Sequence, residues 1–147
     1  MPIFRGNINS TLESIVNNSS DGENKQFFFR QPCKKELDTL LYFASNIESK
    51  DCSVYIRVNY EWKYGFRARR IDLVSKEHNT ITLYKKSSKF STDSNALDLV
   101  RLRESMSNTF PNLTIKCVLL YSEPVEEDSI RQILESLKLD VEYKIII

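Results

Sequence analysis

The chain has 147 residues, 41% hydrophobic and 28% charged, with a formal net charge of +1. That length and balance describe one soluble globular domain over residues 1–147 and exclude collagenous, disulfide-scaffold and wholly disordered chains. No apolar run approaches the ~18–20 residues that cross a bilayer, and Met1-Pro2-Ile3-Phe4-Arg5-Gly6 lacks the apolar core of a secretory signal.

In chain order, Ser10-Thr11-Leu12-Glu13 has the form of a capping box, and Leu12, Ile15 and Val16 predict a short helix behind it. Residues 17–25 are polar and read as a mobile loop. Phe27-Phe28-Phe29 reads as a short buried strand or an anchor. Pro32 suits the first turn of a second helix over 33–47, in which Leu37, Leu40, Leu41 and Ala44 recur at helical spacing. At residue 54 the period changes to two. Val54, Ile56, Val58, Tyr60, Trp62, Tyr64 and Phe66 alternate with Tyr55, Arg57, Asn59, Glu61 and Lys63, predicting a long strand that bends near Gly65.

Residues 67–75 and 80–86 predict two further strands joined by the polar turn Lys76-Glu77-His78-Asn79. The cluster Thr92-Asp93-Ser94-Asn95 offers helix caps, and Ala96, Leu99, Val100, Leu102, Met106 and Phe110 suit a helix that Pro111 stops. Residues 113–121 predict a strand whose last five positions are apolar throughout, the pattern of burial on both faces. Pro124 opens a last helix with the stripe Ile130, Ile133, Leu134, Leu137, and residues 141–147 close the chain as a strand. The short joins make the final strand–helix–strand a parallel crossover. The expected fold class is α/β, mixed α+β: a single-layer mixed sheet with helices on its faces, in the order α-β-β-β-α-β-α-β after the short N-terminal helix.

Charge is unevenly placed. Residues 55–90 carry nine Lys and Arg against Glu61, Asp72 and Glu77, a local +6, while residues 121–142 carry seven Asp and Glu against Arg131 and Lys138, a local −5. Such asymmetry marks either a basic face for an anionic partner or complementarity within the fold. Cys33, Cys52 and Cys117 are widely spaced and His78 is the single histidine, so the close pairing of about four soft ligands in a structural zinc site is missing. Buried reduced thiols are the expectation, and with them an intracellular setting, cytoplasm or nucleus.

Trp62, Tyr64 and Phe66 continue the alternation begun at Val54 and read as core. Arg67, Arg69 and Arg70, with Lys85, Lys86 and Lys89, are then the candidate contacts to nucleic acid or to an acidic protein. The bland alternatives are pairing with the acidic helix that starts at Glu126, and lysines that protect an edge strand from aggregation. The apolar Ile145-Ile146-Ile147 predicts either a buried sheet end or an edge that joins a homo- or hetero-oligomer.

The helix–β–β–β–helix–β order over residues 33–147, extended by a helix and a strand, resembles the restriction-endonuclease-like fold of the PD-(D/E)XK nuclease superfamily. The resemblance is topological. It implies Asp72 as the first metal-holding acid, with Ile71 in place of the usual preceding proline, and Lys85 as the lysine that helps activate water. Leu83 stands where the second acid belongs and cannot ligate Mg²⁺, so a displaced Glu61 or Glu77 would have to complete the site. The alternating basic and aromatic strands also look like the tunnel fold of viral and fungal RNA triphosphatases and a Mediator head subunit, but the paired Glu-x-Glu strands of those enzymes are missing.

The expectation is therefore a non-enzymatic binding subunit that needs no metal or cofactor and no membrane. Its basic strand region would contact nucleic acid or an acidic protein partner. A Mg²⁺-dependent nuclease using Asp72, Lys85 and Glu61 is the alternative from another class, and a purely protein-interacting scaffold the third.

Overall fold

The computed structural model describes residues 3–6, 34–46, 53–60 and 69–146. The helix expected after Ser10, the loop at 17–25, the Phe27-Phe28-Phe29 segment and the bend near Gly65 lie outside these residues. The chain divides into two compact units, Met1–His78 and Asn79–Ile147.

In the first unit the order is β1 (Ile3–Gly6), α1 (Lys34–Ser45), β2 (Ser53–Tyr60) and β3 (Arg69–Glu77). β1 pairs parallel with β2, and β2 pairs antiparallel with β3 so that Val54 stands opposite Ser75. α1 lies on β2 and β3 and buries Leu40, Phe43 and Ala44, the i, i+3, i+4 stripe of an amphipathic helix. It ends with Ser45 Oγ and Asn46 Nδ2 both donating to the Tyr42 carbonyl, at 2.7 and 2.8 Å, which satisfies one of the acceptors a helix end leaves open.

Two features of this unit differ from the sequence reading. Tyr55, on the face opposite Val54, is buried as well, so both faces of β2 are covered at that point. β3 runs on through Lys76 and Glu77, which shortens the turn to His78 and Asn79. Lys76 stays in the ladder opposite Ser53 and is itself buried. His78 takes a left-handed φ of 54°, a conformation that polar turn residues adopt more readily than β-branched ones.

The second unit runs β4 (Thr80–Lys86), α2 (Thr92–Thr109), β5 (Thr114–Tyr121), α3 (Glu127–Ser136) and β6 (Glu142–Ile145). Its three strands are parallel with β5 in the middle: Leu83 faces Cys117 across one ladder, and Leu119 faces Tyr143 across the other. The parallel β5–α3–β6 crossover is the one its short joins predicted. β5 is buried from Cys117 to Tyr121, as a central strand covered on both faces must be.

α2 turns Ala96, Leu99, Leu102 and Met106 inward and packs on β4, β5 and α3. At its first turn the buried Thr92 hydroxyl lies 2.6 Å from the Tyr121 hydroxyl, so two polar groups inside the core satisfy each other. α3 begins at Glu127 rather than at Pro124. Glu126 is the N-cap and is still extended at φ −79° and ψ 108°, the non-helical geometry a cap requires. Glu127 and Asp128 then sit in the first turn, where the helix dipole favours negative charge.

The chain is mixed α+β, with helices and strands interleaved and both parallel and antiparallel pairings. β1 is the element that the sequence reading did not anticipate. Among the described residues no helix is long and apolar enough to cross a membrane.

Candidate binding surface

The end of β4 carries Lys85 and Lys86 into a short serine-rich connector ahead of α2. The connector is tied down at both ends. Ser87 N donates to the Leu120 carbonyl at 2.8 Å, one step past the end of β4. Ser88 N donates to Ser91 Oγ at 3.2 Å, and Asn95 Nδ2 reaches back to both Ser87 Oγ and Ser91 Oγ at 3.0 Å. These side-chain bonds hold the loop against the first turn of α2, which is why its two middle residues are presented outward.

Those residues are Lys89 and Phe90. Phe90 is 85% exposed, the largest exposure among the described large hydrophobic residues, and the Lys89 ammonium lies 5.0 Å from its ring centroid. That distance is within cation–π range. Beside the ring runs a groove of about 450 Å³ lined by Phe90, Pro124, Val125, Ile130 and Ile133, with Lys89 and Glu126 also in its lining. The lining thus combines a cation and an aromatic ring from the connector with aliphatic side chains from α3 and the segment before it. Glu126, the N-cap of α3, is the acidic residue of that lining.

Lys85 has an internal partner. Its ammonium is 2.9 Å from Asp98 Oδ2 on α2, with both side chains 28% exposed. Partial burial strengthens the attraction but also adds a desolvation cost, so the pair is felt chiefly when one partner is removed and the other is left behind. Asp98→Ala should cost about 1 kcal/mol, because it leaves a half-buried ammonium with neither its carboxylate nor full hydration. Urea unfolding of the two proteins reads this directly; equal midpoints would mean that the pair contributes nothing.

The remaining expected site residues are scattered. Lys86 is half-buried at the end of β4. Asp72 is half-buried on β3 of the first unit. Arg69 and Arg70 open β3 opposite Tyr60 and Asn59. Arg67 and Glu61 lie outside the described residues. Among the described residues no group of three His, Cys, Asp or Glu is placed to hold a metal ion.

The acidic residues of the C-terminal third are partly engaged among themselves. Arg131 pairs with Asp128 at 2.7 Å, and the Tyr143 hydroxyl donates to Glu127 Oε1 at 3.0 Å. Two residues of this surface escaped the sequence reading. Phe90 fell in a polar connector, where a single aromatic carries no period. Asp98 sits one residue before the buried Leu99 and gave no sign that it would meet a lysine from another element.

No family model matches the chain, and neither curated proteins nor solved structures yield a match.

Proposed function

We propose that this chain is a non-enzymatic binding module that takes single-stranded nucleic acid on the Lys89–Phe90 lip. The supporting observation is the exposed phenyl ring with an ammonium beside it on a tethered loop. An aromatic face stacks on any unpaired base while neighbouring cations neutralise phosphate and release counterions. A loop already held in place loses little entropy when it binds, so more of the contact energy appears as affinity. The carboxylate of Glu126, which also lines the groove, repels phosphate, so the backbone of the strand runs on the Lys89 side of the ring. Arg67, Arg69 and Arg70 of the first unit are proposed as a separate set of phosphate contacts.

Fluorescence anisotropy of a labelled oligonucleotide, measured across a salt series, tests the reading. Affinity is expected to fall linearly with salt on logarithmic axes. Phe90→Ala should weaken binding about tenfold, and Lys89→Ala should lower the salt slope by about 0.7. Binding that ignores salt, or that Phe90→Ala leaves unchanged, overturns it. Displacement of the oligonucleotide by an acidic peptide at equal affinity would assign the surface to a protein partner instead. Mg²⁺-dependent cleavage lost in Asp72→Ala would put the nuclease reading first.

A further inference from the structure

β6 ends the ladder of the second unit. β5 occupies one of its sides, and no strand among the described residues pairs with the other. The direction of its backbone groups follows from one bond: Ile146 N donates to the Tyr121 carbonyl at 2.8 Å. N–H groups alternate in direction along a strand, so Lys144 and Ile146 serve β5 while Tyr143 and Ile145 turn their N–H and C=O outward.

We infer that this edge pairs with a second copy of the chain, two β6 strands running antiparallel about a twofold axis at Tyr143. The contact is independent of the nucleic-acid reading, because it uses neither Lys89 nor Phe90.

Three registers let outward-facing residues exchange hydrogen bonds. Setting Tyr143 against Ile145 places Lys144 opposite Lys144 of the other copy, two like charges face to face. Setting Ile145 against Ile145 places Lys144 opposite the apolar Ile146. Setting Tyr143 against Tyr143 places Glu142 opposite Lys144, and the symmetry repeats that pair on the other side of the axis. Opposite charges directly across an antiparallel pair stabilise it, and like charges oppose it. The charge pattern of β6 thus selects one register out of three.

Charge on an edge strand ordinarily protects it from unwanted pairing. Like charges at both 142 and 144 would serve that purpose by repelling every copy. Glu142 and Lys144 instead cancel, and each complements the other across the dyad. The face they share is the one opposite Tyr143, whose hydroxyl is bound to Glu127 on α3, so the cross-strand pairs form without disturbing that contact. On the other face the register brings the two Tyr143 rings together, an aromatic cross-strand pair.

Sedimentation equilibrium of the full chain, its far-UV dichroism recorded alongside, provides the test. The unaltered chain is expected to dimerise. Glu142→Lys and Lys144→Glu should each weaken the dimer about tenfold or more, since each turns two attractive pairs into repulsive ones. The double exchange, Glu142→Lys with Lys144→Glu, restores complementarity and should return the dimer to within about threefold of the original. Tyr143→Pro removes an N–H that β5 does not use, so it should abolish dimerisation while the dichroism stays native. A monomer at every concentration overturns the inference, as does either single exchange that dimerises as tightly as the unaltered chain. A double exchange as weak as the singles overturns the assigned register.

Discussion

Leu99→Ala is expected to remove about 2–5 kcal/mol of folding stability. Leu99 is fully buried at the middle of the inward stripe of α2, between Ala96 and Met106, which are buried to the same degree. Its backbone carbonyl accepts from the Cys117 thiol at 3.5 Å, which places this turn of α2 against the buried half of β5. α2 is held by β4 and β5 on one side and by α3 on another, so it cannot settle into the space that the lost side-chain atoms leave. The penalty then includes the cavity as well as the lost transfer energy, and it falls in the upper part of the range. Urea unfolding should show a lowered midpoint with an unchanged slope. The exposed Arg101, two residues on, is the control, and Arg101→Ala should stay within about 0.5 kcal/mol. A loss below about 1 kcal/mol at Leu99 would mean that α2 is far less constrained than its packing indicates.

A comparable effect is expected at alkaline pH from Cys117. Burial pushes its thiol up to about 11, with Arg103 pulling the other way and Asp140 adding to the rise. Below pH 9 the folded and unfolded chains both keep the proton, and the thiol contributes no pH dependence. Between about 9 and 11 the unfolded chain ionises first and the folded chain holds its proton, so stability falls as pH rises. The loss reaches about 2–3 kcal/mol near pH 11. Tyrosines and lysines titrate in the same window, so the informative quantity is the difference between the native chain and Cys117→Ala, whose curve should be flatter. Burial has a second consequence: the thiolate is the reactive form, so at pH 8 the folded chain should resist alkylation at Cys117. Peptide mapping after iodoacetamide reads that site by itself. Modification at the rate of a free thiol would contradict the burial.

Much of the fold could be read from local pattern. The change at Val54 from helical spacing to period two marks where α1 gives way to β2. The stripe from Ala96 to Met106 and the stop at Pro111 delimit α2, which ends at Thr109. The unbroken apolar run from Cys117 onward identifies a strand covered on both faces. β1 was not legible, because a four-residue segment carries no period and exists as a strand only through its partner: Ile3 pairs with Ser53, about fifty residues away. The start of α3 was misplaced for a related reason. Proline tolerates the first helical turn but does not require it, and here Pro124 lines a groove wall ahead of the helix.

The candidate surface was less legible than the fold. The excess of cations over residues 55–90 is a property of composition, and Lys89 within that stretch is exposed. That excess did not separate Lys89, which is exposed, from Lys85, which Asp98 neutralises thirteen residues further on. It also said nothing of Phe90, whose exposure depends on a loop held by Ser87, Ser91 and Asn95.

The amino-acid order determined most of the inward stripe of α2 and the buried half of β5, because hydrophobic burial acts through the 3.6- and 2.0-residue repeats of the backbone itself. The tertiary structure alone decided which cation meets which anion, and which edge and which ring are left uncovered among the described residues. Those outcomes depend on where the crossovers bring side chains from separate elements, and Coulomb attraction and solvent exposure follow distance in space rather than distance along the chain.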